Sequence, residues 1–148
     1  MKARNLASPQ ETLRTDQEAG EAASVLSRYG VRAVLVVDPA GSFAGVISDS
    51  ELLRRLLPAY VTENEALARV LEEGAAEALQ GRLEGLTVAD LMPGDREEYP
   101  VVDGEDTLVE VAATMVRSRA SLVGVVDEGR LIGGISIDDL VSHLLRTR

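Results

Sequence analysis

The hydrophobic and polar positions of the chain form one pattern that occurs twice. Valine-rich runs end in an aspartate at Asp38 and again at Asp127. Each run is followed by a short polar turn and a second apolar run, which ends in a serine at Ser48 and at Ser136. The matching positions lie 88 or 89 residues apart, and the one-residue difference falls in the turn, where a hairpin tolerates it best. The chain therefore contains an internal repeat.

Helical periodicity surrounds each pair of apolar runs. Apolar positions at helical spacing predict a helix over about residues 17–29, with Thr15-Asp16 as its N-cap and Gly30 at its end. The second copy predicts a matching helix over residues 108–117, and another helix follows each serine. A short strand is expected at Tyr99–Val102. Each copy thus reads as helix, strand, turn, strand and helix.

Residues 58–86 interrupt the repeat. Their apolar positions recur at helical spacing and their other face is acidic, which predicts a helical insertion. The expected organisation is a first repeat over residues 1–57, beginning with an extended arm at 1–12, then the insertion, then a second repeat over 87–148. A chain of 148 residues suits two small lobes that share a core.

The composition and net charge of the chain exclude several classes of function. Hydrophobic residues make up 45% and aromatic residues 3%, so aliphatic side chains must build the core. A net charge of −10 repels a phosphate backbone and argues against a nucleic-acid partner. The sequence lacks an apolar run of about 18 residues and a signal peptide, which predicts a cytoplasmic protein without a membrane partner. It also lacks cysteine, a Ser/His/Asp set and a Walker loop. We therefore expect no enzyme activity, no metal and no cofactor.

The chain resembles a tandem pair of CBS domains, known as a Bateman module. The resemblance is carried by TVADLM at residues 87–92, DTLVEVAATM at 106–115 and VVDEGRLIGGISIDDL at 125–140, and it covers about residues 4–57 and 87–146. It implies an α/β fold of two pseudo-twofold-related β-α-β-β-α repeats packed through their sheets. It also implies a homodimer that binds an adenosine ligand between the repeats and regulates an unidentified partner protein. AMP, ADP, ATP and S-adenosylmethionine are the candidate ligands.

The two serines stand where such a ligand can be held. A hydroxyl at a strand-to-helix junction lies beside the free N–H groups of the first turn, and together they suit a phosphate. A carboxylate three residues later can accept hydrogen bonds from ribose. In the second repeat we assign Ser136 to the phosphate and Asp139 to the ribose. The residues expected to line the base are Tyr99, Pro100, Val101, Val102, Leu122 and Val123.

The first repeat offers matching positions. They are Ser48, Glu51, Ala33 and Val34. Three arginines, Arg32, Arg54 and Arg119, are candidate phosphate partners from their position in the sequence.

A structural interpretation of the same residues stays open. Ser-x-x-Glu is also a capping box, in which the serine and glutamate only satisfy the helix N-terminus. The alternative function is therefore a dimerisation module that binds no ligand. Gly134 replaces a bulky apolar residue of the family, and its effect is either to widen the pocket or to loosen it.

Overall fold

The structure is a computed structural model that describes residues 1–28, 30–57, 81–92 and 98–146. The predicted helical insertion lies outside the described residues as far as residue 80. The described helices and strands, in chain order, are α1 Ala3–Leu6, β1 Thr12–Arg14, α2 Ala19–Arg28, β2 Ala33–Val37, β3 Phe43–Ser48, α3 Asp49–Leu56, α4 Val88–Leu91, β4 Val101–Asp103, α5 Leu108–Ser118, β5 Leu122–Asp127, β6 Arg130–Ser136 and α6 Ile137–Leu145.

The strands form two three-stranded sheets of the same topology, ordered β1-β2-β3 and β4-β5-β6. In each sheet the first strand is parallel to the second, and the second is antiparallel to the third. A parallel pair needs a crossover, which α2 provides in the first repeat and α5 in the second. With α3 and α6 at the ends, the two predicted β-α-β-β-α repeats are confirmed.

The two sheets pack against each other through one apolar layer, which we call the seam. Leu35, Val46 and Leu122 are buried in it, with Phe43 and Leu131 packed alongside. The other side chains of β2, such as Val34 and Val36, point into the core of the first repeat. The strand is therefore buried on both faces, as its unbroken apolar run predicts.

Each repeat receives its first short helix from the other one. Val88 and Leu91 of α4 are buried in the core of the first repeat, and the Val88 N–H donates to the Gln17 carbonyl at 2.8 Å. Conversely, Ala3 of α1 is fully buried in the core of the second repeat, and its N–H donates to the Asp106 carbonyl at 2.8 Å. This exchange ties the two repeats together independently of the seam.

The N-terminal arm then runs across β6, where two adjacent glycines make room for it. Ser8 and Gly134 exchange two backbone hydrogen bonds, each of 3.0 Å. A Cβ at Gly133 would lie 2.8 Å from the Ser8 carbonyl oxygen, and one at Gly134 would lie 2.8 Å from Gln10 Cγ. Glycines inside a strand often mark such a close approach of another backbone. Gly134 therefore does not widen a pocket, because Gln10 and Leu35 occupy the space beside it.

Exposed ion pairs hold the beginning of the arm. Lys2 and Arg4 both pair with Glu105, and Arg4 also reaches Asp127 at 3.3 Å. The hydrogen bond from Lys2, together with the charges of Lys2 and Arg4, lowers the pKa of Glu105 below its ordinary value. Exposed ion pairs of this kind contribute little to stability. The burial of Ala3 and the backbone hydrogen bonds therefore contribute more to holding the arm in place.

Three local predictions are wrong. The arm is not simply extended, because it contains α1, and β1 follows where no strand was predicted; both elements are too short to show a periodicity. The helix α2 begins at Ala19 rather than after Thr15-Asp16, since the Asp16 carboxylate bonds Arg14 instead. The strand β4 begins at Val101, after Pro100, which has no N–H to donate.

No helix within the described ranges is long and apolar enough to cross a membrane.

Gly133→Ala should destabilise the protein by about 1–3 kcal/mol, since the new Cβ forces the arm backbone away from β6. Urea unfolding measures the change. Gly20→Ala is the matched control, because a Cβ at Gly20 meets nothing within 4 Å and alanine favours a helix. The control should keep the native stability or exceed it by up to about 1 kcal/mol. Equal stabilities for the two variants would contradict the docked arm.

Candidate functional site

The two predicted serines begin the helices that follow β3 and β6. The Ser48 hydroxyl accepts the Glu51 N–H at 3.1 Å, and the Ser136 hydroxyl accepts the Asp139 N–H at 3.2 Å. Both serines are therefore N-caps, as the structural interpretation requires. A hydroxyl has a second lone pair and a proton of its own, so a capping serine can still donate to a phosphate oxygen.

The two junctions have the same local geometry. Ser48 is paired with Ala33 across the first hairpin, and Ser136 is paired with Leu122 across the second. The next residue along the helix donates its N–H to the residue before the partner strand: Asp49 to the Arg32 carbonyl and Ile137 to the Ser121 carbonyl, both at 2.8 Å. Each junction thus fixes the start of the neighbouring strand beside its serine.

A cleft lies at the first junction and receives residues from both repeats. Its volume is about 210 Å³. The residues that line this first cleft are Arg32, Ala33, Val46, Ser48, Asp49, Ser50 and Glu51 from the first repeat, with Arg119, Ala120 and Ser121 from the second.

A second cleft, of about 260 Å³, lies at the second junction. The residues that line it are Ser121, Leu122, Ser136, Ile137 and Asp138 from the second repeat, with Gln10, Gly30, Val31, Arg32 and Ala33 from the first. Both clefts are smaller than the roughly 300 Å³ of a typical small-molecule pocket. The described residues of either cleft therefore leave room for only part of a nucleotide-sized molecule.

Two arginines supply the positive charge at the clefts. Arg32 lines both clefts, whereas Arg119 lines only the first of the two. Neither forms an ion pair with any residue that the structure describes, although the chain has a net charge of −10. Both side chains are exposed and can meet an anionic ligand.

Arg119 has an unusual backbone. It ends α5 in the left-handed conformation, with φ 54° and ψ 38°, where the first repeat has Gly30 at φ 60°. A residue with a Cβ costs about 1–2 kcal/mol there relative to the right-handed form. Strained residues of this kind cluster at functional sites, which draws attention to Arg119 as a ligand contact.

The structure brings some of the predicted residues together and separates others. Ser48, Glu51 and Ala33 line the first cleft, and Ser136 and Leu122 line the second. Asp139 is exposed on the first turn of α6, but the carboxylate residue lining the second cleft is its neighbour Asp138. The remaining predicted positions do not line either cleft.

Most of those remaining positions have a packing role. The side chains of Val34, Val102 and Val123 are buried in the cores of their repeats, and the base-lining role of these positions stays a prediction. Pro100 is fully buried as well. The other positions away from the clefts are half-buried Val101, Tyr99 at 57% exposure, and Arg54, exposed on α3.

Sequence reasoning missed Gln10, Ser121 and Asp138 as cleft residues. Gln10 comes from the arm, whose docking had one signal in the sequence, the adjacent pair Gly133-Gly134. Ser121 occupies the position equivalent to Arg32, so the repeat itself could have identified it.

A larger cavity, of about 720 Å³, lies elsewhere, between α2 and residues 83–87. Among the described residues that line it, the charged ones are Glu18 and Glu84, both of which repel a phosphate. We therefore place the candidate site at the two junction clefts.

Comparison with known proteins shows what the chain is similar to. The sequence model of the family described as CBS domain matches residues 3–58 and 88–146. A CBS domain-containing protein of unknown function from Kribbella flavida is 36% identical, with a TM-score of 0.83 over 98% of this chain and 99% of that one. The comparison with curated proteins finds no match.

Two further solved structures share the fold. The CBS domain of a CBS domain-containing membrane protein from Sphaerobacter thermophilus is 28% identical, with a TM-score of 0.69 over 96% of this chain and 86% of that one. The CBS-pair protein CBSX2, described from Arabidopsis thaliana, has also been solved in complex with AMP. That complex is 21% identical, with a TM-score of 0.69 over 98% of this chain and 96% of that one.

Ser136→Ala should lower the free energy of unfolding by about 1 kcal/mol, because the Asp139 N–H loses its cap. Ser136→Asp should restore most of that loss, since aspartate is also a good N-cap. Ser142→Ala, an exposed position in the middle of the same helix, is the control and should cost nothing. Urea unfolding compares the three variants, and a loss of equal size in the control would show that the hydroxyl of Ser136 is not a cap.

Proposed function

The chain belongs to the CBS-domain family, and from that premise we propose that it is a regulatory module that binds an adenosine nucleotide or adenosyl compound at the junction clefts. The observation that carries the proposal is that each cleft combines a capping serine and first-turn residues of one repeat with residues of the other. A ligand held there contacts both repeats. It therefore stabilises one relative arrangement of them, which a partner protein can sense.

The chemistry of the clefts suits the phosphate end of such a ligand. Helix N-termini present free N–H groups, and Arg32 and Arg119 add positive charge. In the second repeat we propose Ser136 for the phosphate and Asp139 for the ribose, with Ser48 and Glu51 in the same roles in the first. The AMP complex of CBSX2 supports this ligand class for the fold.

A thermal-shift screen with AMP, ADP, ATP and S-adenosylmethionine tests the proposal, with GTP as the non-adenosine control. A ligand at 100 times its Kd should stabilise the protein by about 2.7 kcal/mol, which raises the melting temperature by roughly 5–10 °C. Asp139→Ala should abolish the part of the shift that comes from the second cleft.

Asp138→Ala is the matched control, since Asp138 is the adjacent carboxylate and lines the second cleft. If only this variant loses the shift, the ribose contact belongs to Asp138. Should the native chain show no shift with any adenosine ligand, the proposal fails, and the dimerisation module that binds no ligand remains.

We also propose that the chain forms a homodimer through α5 and α6, which contact each other. Val109 and Val116 lie seven residues apart on one face of α5 and are 73% and 77% exposed. On α6, Val141 and Leu145 are exposed as well. A second copy of this surface is the simplest way to remove these side chains from water.

Val116→Glu should convert the dimer to a monomer, since a second copy would have to bury the new carboxylate. Analytical ultracentrifugation measures the change, and the variant should keep its fold because the side chain is largely exposed. Ser42→Glu, in an exposed turn, is the control and should remain dimeric. A native chain that sediments as a monomer would contradict the dimer.

A further inference from the structure

The two clefts share one residue, Arg32, and are therefore not independent of each other. This residue lines both of them, and its backbone is fixed there by the hydrogen bond from the Asp49 N–H to its carbonyl. Its side chain is exposed and forms no ion pair within the described part of the chain. One guanidinium can bind one phosphate in bidentate fashion, but it cannot do so in two clefts at once.

We propose that Arg32 couples the clefts negatively, so that a nucleotide phosphate bound in one of them weakens phosphate binding in the other. This inference rests on the proposed function and adds a form of regulation to it. The protein then binds its ligand in two steps. Whichever cleft is occupied first, the other one fills only at a higher ligand concentration.

The charges around the clefts make the coupling strong. In the second cleft Arg32 is the only cation among the described lining residues, and Asp138 is the carboxylate. Without Arg32 that cleft presents a net negative charge to a phosphate. The first cleft contains Asp49 and Glu51 but retains Arg119 when Arg32 is engaged elsewhere. Arg32→Gln should therefore weaken AMP binding more in the second cleft than in the first.

An AMP titration followed by NMR of the backbone amides tests the coupling in the full chain. The Ser50 amide reports the first cleft and the Asp138 amide reports the second, since each residue lines only one of the two. We expect the two Kd values of the native chain to differ by about tenfold or more, because a charged hydrogen bond is lost in the second binding step.

Unequal affinities alone would not prove coupling, so each cleft is closed in turn. Ser48→Asp and Ser136→Asp each keep the helix cap and place a carboxylate where the phosphate would bind. Closing the cleft that fills first in the native chain leaves Arg32 free, and AMP binding in the other cleft should tighten about tenfold. In an Arg32→Gln background, closing that cleft should leave the affinity of the other cleft for AMP unchanged. Arg54→Gln is the matched control, since Arg54 is an exposed arginine that lines neither cleft. In this background, closing the first-filled cleft should still tighten AMP binding in the other one.

The failures of the two proposals can be told apart. If both amides shift with AMP but closing one cleft never strengthens the other, the coupling is wrong and the adenosine site remains. A gain that persists in the Arg32→Gln background would show that another residue couples the clefts, which also overturns the inference. If neither amide responds to AMP, the proposed function fails for this ligand and the coupling fails with it.

Discussion

The packing of the two sheets against each other is the contact on which the rest of the structure depends. Leu35, Val46 and Leu122 are almost completely removed from water in the seam, and each contributes on the order of 1.5–3 kcal/mol by that burial. The fit is close: a Cβ at Gly124 would lie only 2.7 Å from the ring of Phe43. The starts of β2 and β5 lie beside the seam, so the clefts exist only while the sheets are packed.

The two clefts have the same backbone geometry because the repeats are pseudo-symmetric, but the side chains at equivalent positions differ in charge. Hydrogen bonds and strand register are the same at the two junctions, whereas the equivalent positions carry Arg32 and Ser121, or Gly30 and Arg119. The repeated sequence pattern accounts for the common backbone geometry, and the different side chains at these positions make the two clefts electrostatically different.

The sequence predicts local structure well and long-range contacts poorly. The hairpins, the capping serines and the final helices follow from residues within a few positions of each other, and the structure confirms them. The roles of Val34, Val102 and Val123 could not be read in this way. An unbroken run of valines lacks the alternation that would tell a core-facing side chain from a cleft-facing one.

The arm shows the same limit from another direction. The part of β6 that the arm contacts is more than 120 residues away in sequence. Neither α1 nor β1 is long enough to show a helical or strand periodicity. The glycine pair that receives it was visible, but glycine alone does not say which segment approaches. The position of Gln10 in the second cleft therefore required the structure.

The exchange of α1 and α4 also determines the order in which the protein can be completed during synthesis. The segment containing Ala3 is synthesised before its binding surface on the second repeat, which is translated roughly a hundred residues later. The first repeat likewise lacks Val88 and Leu91 until the chain has passed the insertion. Neither repeat can close its core alone, so the nascent chain must keep apolar surface exposed until the second repeat has been translated. Such late, non-local closure is slow and leaves the chain open to aggregation and to capture by chaperones.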